Sequence, residues 1–71
     1  MEKYIRIRQT RRENNETQEQ AANALQIKQA QYQRYESGET AIPVKYLIAF
    51  CNHYQVSSDY ILELSDKKTM R

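Results

Sequence analysis

Residues 29 to 34 carry the side chains of this chain that are best suited to recognition chemistry. They combine amides, a methyl group and a guanidinium: Gln29, Ala30, Gln31, Gln33 and Arg34. A glutamine amide presents a donor and an acceptor together to adenine, an arginine does the same to guanine, and an alanine methyl group contacts a thymine methyl group. The same set makes a poor catalyst. We therefore interpret this stretch as a surface that recognises the base edges of nucleic acid.

Two short helices, with a tight turn between them, must position this surface. The first is predicted over residues 18–25, because Thr17 is a good N-cap and Gln20 stands where a capping box needs its partner. Residues 26–28 form the turn, and the second helix is predicted over residues 29–37.

The second of these helices is predicted to bury one face. Tyr32 and Tyr35 lie three positions apart and share that face, so we expect both in the core rather than stacked on bases. Gly38 readily adopts the positive φ that ends a helix. The amides and the guanidinium are then left pointing to solvent.

Three further helices complete an all-α fold, a compact five-helix bundle. Helix 1 is predicted over residues 2–14, with Asn15 as a left-handed terminator, helix 4 over residues 44–54, and helix 5 over residues 59–64. In helix 4 an apolar stripe at helical spacing is expected to face the core: Val44, Leu47, Ile48 and Cys51, widened by Phe50 and Tyr54.

Composition favours one small, polar domain. Hydrophobic residues make up 39% of the chain, the mean hydropathy is −0.96, and there is a single glycine and a single proline, which disfavours a β-barrel. We expect one domain over residues 1–65 and a polar C-terminal tail over residues 66–71. No apolar run approaches the roughly 18 residues of a membrane span. One cysteine forms no internal disulfide, so we expect a cytoplasmic protein without membrane contact.

The net charge of +2 is unevenly distributed. Basic side chains cluster near the N-terminus, where only Glu2 opposes them: Lys3, Arg6, Arg8, Arg11 and Arg12. Such a cluster either lies on phosphates or forms a solvated face, and charge alone does not separate the two alternatives.

The sequence contains no residue pattern that is typical of a catalytic site or a metal site. Cys51 and His53 lie two positions apart on a predicted helix and so point to different faces, and no second ligand pair accompanies them. There is a single histidine, no Gly-rich phosphate loop, and no paired carboxylates. We expect no enzyme activity, no metal site, no cofactor and no small-molecule ligand, with Cys51 as a small core residue.

The order and spacing of several motifs resemble the lambda-repressor-like helix-turn-helix family, also called the Cro/C1 or xenobiotic-response-element type. The similarity covers about residues 4–65. Its carriers are Thr17-Gln18, Ala22, Leu25 with Ile27, Tyr35-Glu36-Ser37-Gly38, Ile42-Pro43, and the run from Tyr54 to Leu62. The resemblance implies that helices 2 and 3 form the helix-turn-helix and that helix 3 enters the major groove of DNA.

The resemblance also implies roles for individual residues. Base contacts fall on exposed residues of helix 3: Gln29, Ala30, Gln31, Gln33 and Arg34. Phosphate contacts fall on residues around the motif: Thr17, Gln18, Lys28, Ser37 and Thr40. Arg11 and Glu36 occupy the positions of a structural ion pair that orients helix 3.

Three departures from the family pattern affect these expectations. Gln26 stands where a glycine usually permits the turn, so this turn is expected to be strained. Lys28 replaces the usual Ser or Thr cap of helix 3. Glu39 and Thr40 lie where many members place basic phosphate contacts, which predicts weaker non-specific DNA binding.

The leading functional hypothesis is a sequence-specific DNA-binding transcriptional regulator, by resemblance a repressor, acting as a homodimer on a palindromic operator. Ile61, Leu64 and the tail are the expected dimer contacts. The alternative hypothesis is an antitoxin-like or antirepressor-like protein-interaction module, which would be favoured by an exposed apolar patch around Tyr46, Ile61 and Leu64.

Overall fold

The computed structural model describes residues 5–69, which fold into five α-helices without any strand. The helices are α1 (Ile5–Glu13), α2 (Gln18–Leu25), α3 (Gln29–Ser37), α4 (Val44–Tyr54) and α5 (Ser58–Ile61). The all-α prediction is confirmed, as are the bounds of the three central helices. Residues 2–4, where helix 1 was predicted to begin, lie outside the described residues.

The two outer helices end earlier than predicted. Helix α1 stops one residue short, and Asn15 follows in the left-handed conformation, with φ of 58°, as expected of a terminator. Helix α5 stops at Ile61 instead of residue 64. Glu63 takes a positive φ of 62°, and the Leu64 amide donates to the Asp59 carbonyl at 2.8 Å, so this segment is a turn.

Local capping explains where α2 and α3 begin and end. The Thr17 hydroxyl accepts from the Gln20 amide at 3.1 Å, and the Gln20 side chain accepts from the Thr17 amide at 2.8 Å, which confirms the capping box. Gly38 ends α3 with φ of 82°. Lys28 sits at the N-cap of α3 without a side-chain capping bond, as its replacement of Ser or Thr predicted.

Gln26 carries the strain expected of the turn between α2 and α3, with φ of 58° and ψ of 42°. A residue with a Cβ pays a steric cost in this region that glycine does not. Gln26→Gly is therefore expected to raise the free energy of unfolding by about 0.5–1 kcal/mol, as measured by urea denaturation. The matched control is Gln9→Gly inside α1, which is expected to lower the free energy of unfolding by about 1 kcal/mol. If both variants changed the free energy of unfolding in the same direction, the strain assigned to Gln26 would be contradicted.

The core lies where α2 packs against α3 and α4, and where α1 packs against α3 and α5. Tyr32, Phe50, Ile7 and Ile61 are fully buried at its centre. Tyr35 and Cys51 are also buried, so the predictions that the two α3 tyrosines and the single cysteine are core residues are confirmed.

The predicted core stripe of α4 is wrong at two positions. Val44 is 71% exposed and Ile48 is 54% exposed, whereas Leu47 and Cys51 are buried as expected. The buried stripe keeps the other four predicted residues, Leu47, Phe50, Cys51 and Tyr54, and so lies to one side of the predicted one. Both stripes have helical spacing, and packing against α2 and α5 selects the second one.

The segment after α5 folds back onto α1. The Arg6 guanidinium lies over the Tyr60 ring at 4.3 Å and donates to the carbonyls of Tyr60 and Ser65 and to the Asp66 carboxylate at 2.8–2.9 Å. The Ser57 amide donates to the carbonyl of Lys68 at 2.7 Å. Arg6 is therefore committed to the fold and is removed from the basic cluster that was expected to lie on phosphates or to be solvated.

Candidate nucleic-acid interface

Helix α3 separates its predicted base-contact residues from its core residues. Tyr32, Tyr35 and Glu36 are buried, and the opposite face is exposed to solvent. Four of the five predicted base-contact residues lie on that exposed face: Gln29, Ala30, Gln33 and Arg34. This face offers two amides and one guanidinium within five residues of the helix start.

Gln31 does not share this exposure. Its side chain is half-buried, and its amide donates to the Tyr35 hydroxyl at 2.8 Å. That bond satisfies a tyrosine hydroxyl at the edge of the core, where an unpaired polar group would be costly. The expectation that Gln31 points freely outward is corrected accordingly.

A buried ion pair holds the end of α3 against α1. The Arg11 Nε lies 2.6 Å from Glu36 Oε2, and Arg11 Nη2 donates to Glu36 Oε1 at 3.2 Å. Only 11% of the Arg11 side chain and 3% of the Glu36 side chain are exposed. Gln18 Nε2 donates to Glu36 Oε1 at 3.2 Å, so α2 joins the same cluster. Two-point pairing of this kind fixes both distance and orientation.

The surroundings of this pair keep Glu36 charged. Burial alone would raise the pKa of the Glu36 carboxyl, but the hydrogen bonds from Arg11 and Gln18, together with the nearby Tyr32 hydroxyl, outweigh burial and lower that pKa below its ordinary value. The Tyr32 hydroxyl beside it is buried, and it makes no hydrogen bond of standard geometry within the described chain. Burial, followed by the Glu36 carboxylate, raises the pKa of Tyr32.

Glu16 extends this network to α4. The Arg11 Nη1 donates to the Glu16 carbonyl at 2.7 Å, while the Glu16 carboxylate accepts from the Tyr54 hydroxyl at 2.9 Å and lies 3.0 Å from His53 Nε2. Hydrogen bonds from His53 and then Tyr54 lower the pKa of the Glu16 carboxyl. The polar partners of the Glu16 carboxylate come from α4, a contact that no local sequence pattern reveals.

The predicted phosphate-contact residues surround α3 at the surface. Thr17, Lys28, Ser37 and Thr40 are exposed and Gln18 is half-buried. The Thr17 hydroxyl caps α2, and the Ser37 hydroxyl donates to the Arg34 carbonyl at 3.2 Å. Lys28 presents its ammonium group beside the start of α3, where the capping bond is missing within the described structure.

A cleft between α1, α2 and α3 brings one further basic residue to this surface. The cleft has a volume of about 250 Å³ and is lined by Arg8, Arg11, Gln18, Gln33, Glu36 and Ser37. Arg8 is exposed, unlike Arg6 and Arg11, whose guanidinium groups are committed to internal partners. Arg8 belongs to the basic cluster seen in the sequence, and only the structure separates it from its internally paired neighbours.

No group of three or more His, Cys, Asp or Glu side chains in residues 5–69 is arranged to hold a metal ion. Within the same residues, no helix has the length and apolarity needed to cross a membrane.

Comparison with known proteins adds family evidence to this geometry. A helix-turn-helix family model matches residues 7–61. The chain is 38% identical over 61 residues to an uncharacterized HTH-type transcriptional regulator, YobD, of Bacillus subtilis (strain 168). That alignment covers 86% of this chain and 54% of the relative, so the chain spans about half of the relative's length. No solved structure matches the chain.

The matched residues contain α2, the turn, α3 and the buried Arg11–Glu36 pair, and they include nearly all of the motifs that carry the sequence resemblance. The chain belongs to the helix-turn-helix family, and the predicted lambda-repressor-like resemblance is confirmed.

Proposed function

We propose that this protein is a sequence-specific DNA-binding transcriptional regulator, not an enzyme, and that it places α3 in the major groove. The observation that carries the proposal is the division of α3 into two faces. One face is anchored by Tyr32, Tyr35 and Glu36, and the other exposes Gln29, Gln33 and Arg34. A rigid helix that displays amides and a guanidinium matches the donor and acceptor pattern of base edges.

The surrounding residues would hold the DNA backbone. Lys28 at the start of α3 and Arg8 at the neighbouring cleft supply positive charge, and Gln18 supplies an amide at the cleft wall. Thr17, Ser37 and Thr40 add hydroxyl groups at the rim. Contacts of this kind set the position of a protein on the duplex and carry little sequence information.

We further propose that the protein acts as a homodimer on a palindromic operator and represses transcription. A helix of nine residues contacts few base pairs, so two copies on half-sites about one turn apart would supply the needed specificity. The dimer contact cannot include Ile61, which is fully buried within its own subunit. Leu64, with 75% of its surface exposed, stays a candidate. The relative's printed name, a transcriptional regulator, supports the regulatory role.

The protein-interaction alternative loses its expected surface. It depended on an exposed apolar patch around Tyr46, Ile61 and Leu64, but Ile61 is buried and Tyr46 is half-buried against the core. The centroid of the Tyr46 ring lies 6.2 Å from the centroid of the Tyr35 ring. No patch of this composition therefore forms in the described part of the chain.

The proposed function is tested by selecting bound sites from random duplex DNA and measuring the affinity of the protein for the most enriched sequence at several salt concentrations. We expect an enriched palindromic motif whose affinity falls steeply with salt, since phosphate contacts release counterions. Failure to enrich any sequence at low salt would contradict the proposal.

Gln18→Ala is expected to weaken binding to selected and scrambled duplexes by similar factors, because an amide on a phosphate contributes to both complexes. Fluorescence anisotropy with each of the two duplexes measures the change in Kd. Since Gln18 also donates to Glu36, the free energy of unfolding is measured alongside. Asn23→Ala, which removes an exposed amide from the same helix outside the cleft, is the control. A loss confined to one base position would overturn the phosphate assignment.

A further inference from the structure

An acidic residue lies against the proposed guanine-binding residue. Glu39 follows the terminal glycine of α3, and its Oε2 lies 3.3 Å from Arg34 Nε. Both side chains are exposed, Arg34 by 61% and Glu39 by 67%. A carboxylate is therefore present on the face that would meet a polyanion. Glu39 was noted in the sequence only as a missing basic contact, and its pairing with Arg34 appears first in the structure.

The backbone holds Glu39 in this place. The Ser37 hydroxyl donates to the Arg34 carbonyl at 3.2 Å and accepts from the Glu39 amide at 3.3 Å. The Thr40 amide donates to the same Arg34 carbonyl at 3.2 Å. These bonds fold residues 38–40 back over the last turn of α3. The position of Glu39 beside Arg34 is thus set by the chain path.

Both charged side chains line one shallow cleft on the exposed face of α3. The lining residues are Ala30, Gln33, Arg34, Ser37 and Glu39. Three of these lining residues, Ala30, Gln33 and Arg34, are among the predicted base-contact residues. Glu39 therefore belongs to the surface that recognises DNA.

We propose that Glu39 is a specificity-determining residue, which pairs with Arg34 so that this guanidinium is withheld from the phosphates of arbitrary DNA and is released to a guanine of the correct site. The inference rests on the proposed function. A phosphate approaching Arg34 is repelled by the adjacent carboxylate. A guanine instead offers two neutral acceptors, O6 and N7, to the planar guanidinium. Non-specific binding depends on phosphate charge, so it loses more from this pairing than specific binding does.

The test is Glu39→Gln, measured with the full chain on the selected duplex and on a scrambled duplex over a range of salt concentrations. Affinity for the scrambled duplex is expected to rise roughly three- to tenfold at low salt, and its log–log salt slope to steepen by about 0.9, as one more phosphate is neutralised. Affinity for the selected duplex is expected to change less. The ratio between the two affinities therefore falls.

Two comparisons separate this pairing from a general charge effect. Glu63→Gln removes the same charge from an exposed residue after α5 and is expected to leave the slope nearly unchanged. In an Arg34→Ala background, Glu39→Gln is expected to lose its effect on the slope, because the released cation is absent.

The possible outcomes are distinct. Equal slopes for Glu39→Gln and Glu63→Gln, or a steeper slope that persists without Arg34, would overturn the inference and leave the proposed function standing. A wild-type chain that binds no duplex at all would overturn the proposed function and this inference together.

Discussion

Glu36→Ala is expected to lower the free energy of unfolding by about 3–5 kcal/mol, the largest effect of any single substitution considered for this protein. The Arg11 side chain, only 11% exposed in the intact protein, would lose the carboxylate that pairs with its charge. Gln18 would lose its acceptor at the same time. Chemical denaturation followed by circular dichroism measures the change.

The control is a pair of the same chemistry at the surface. Glu13 accepts from Lys68 Nζ at 3.2 Å, and the two side chains are 43% and 52% exposed. Glu13→Ala is expected to cost less than about 1 kcal/mol, because exposed ion pairs contribute little. A cost for Glu36→Ala no greater than that for Glu13→Ala would contradict the role assigned to the buried pair.

A second variant keeps the test usable if Glu36→Ala does not fold. Glu36→Gln retains the volume and an acceptor oxygen but removes the charge. The pKa of Glu36 is lowered in the folded protein, so its contribution to stability is present above the ordinary carboxyl pKa and is lost as pH falls through the lowered value. Wild-type stability should fall more steeply in acid than that of Glu36→Gln. Parallel pH profiles would contradict the assignment.

Arg34→Ala is expected to weaken binding to the selected duplex by about 1–3 kcal/mol, roughly 5- to 150-fold in Kd, and to relax the preference at one base pair. The reason is the loss of a two-point contact to guanine, which alanine cannot replace. Because Arg34 is 61% exposed and its partner Glu39 is also exposed, the free energy of unfolding should change by less than about 0.5 kcal/mol.

Arg12→Ala is the matched control for Arg34→Ala. It removes the same charge from an exposed residue of α1, away from the base-contact face. Its effect should be small and similar on selected and scrambled duplexes. If Arg34→Ala instead weakens both duplexes equally, Arg34 contacts phosphate and the base assignment fails.

The central helices could be predicted from the sequence because their signals are local. A capping box at Thr17, a strained turn at Gln26 and a glycine at position 38 each act within a few residues, and the structure shows all three as expected. The buried Arg11–Glu36 pair came from the family resemblance, since no local rule joins residues 25 positions apart.

The remaining features depend on contacts between distant segments. Val44 and Ile48 fit a buried stripe as well as Phe50 and Tyr54 do, and only packing decides between them. The same limit applies to Arg6, whose partners Tyr60, Ser65 and Asp66 lie 54 to 60 positions away along the chain. A charged residue in a helix gives no sign of such partners.

The environment of the proposed recognition face was likewise only partly visible in the sequence. Gln31 lies one turn before Tyr35 on α3, and its amide donates to the Tyr35 hydroxyl because the buried Tyr35 ring leaves that hydroxyl beside it. Glu39 becomes a partner of Arg34 only after the loop folds back through Ser37. The residue types predicted which donors and acceptors this face carries. Tertiary structure determines which of these groups are paired within the protein and which are exposed.

The most direct test of the central claim is chemical-shift mapping of the ¹⁵N-labelled chain during titration with the selected duplex. We predict that the largest changes fall on the backbone amides of residues 29–34 and on the side-chain amides of Gln29 and Gln33, with smaller changes at Gln18 and Lys28. Changes confined to the exposed side of α4 around Val44 and Ile48, with α3 unaffected, would contradict the assignment of α3 as the DNA-recognition helix.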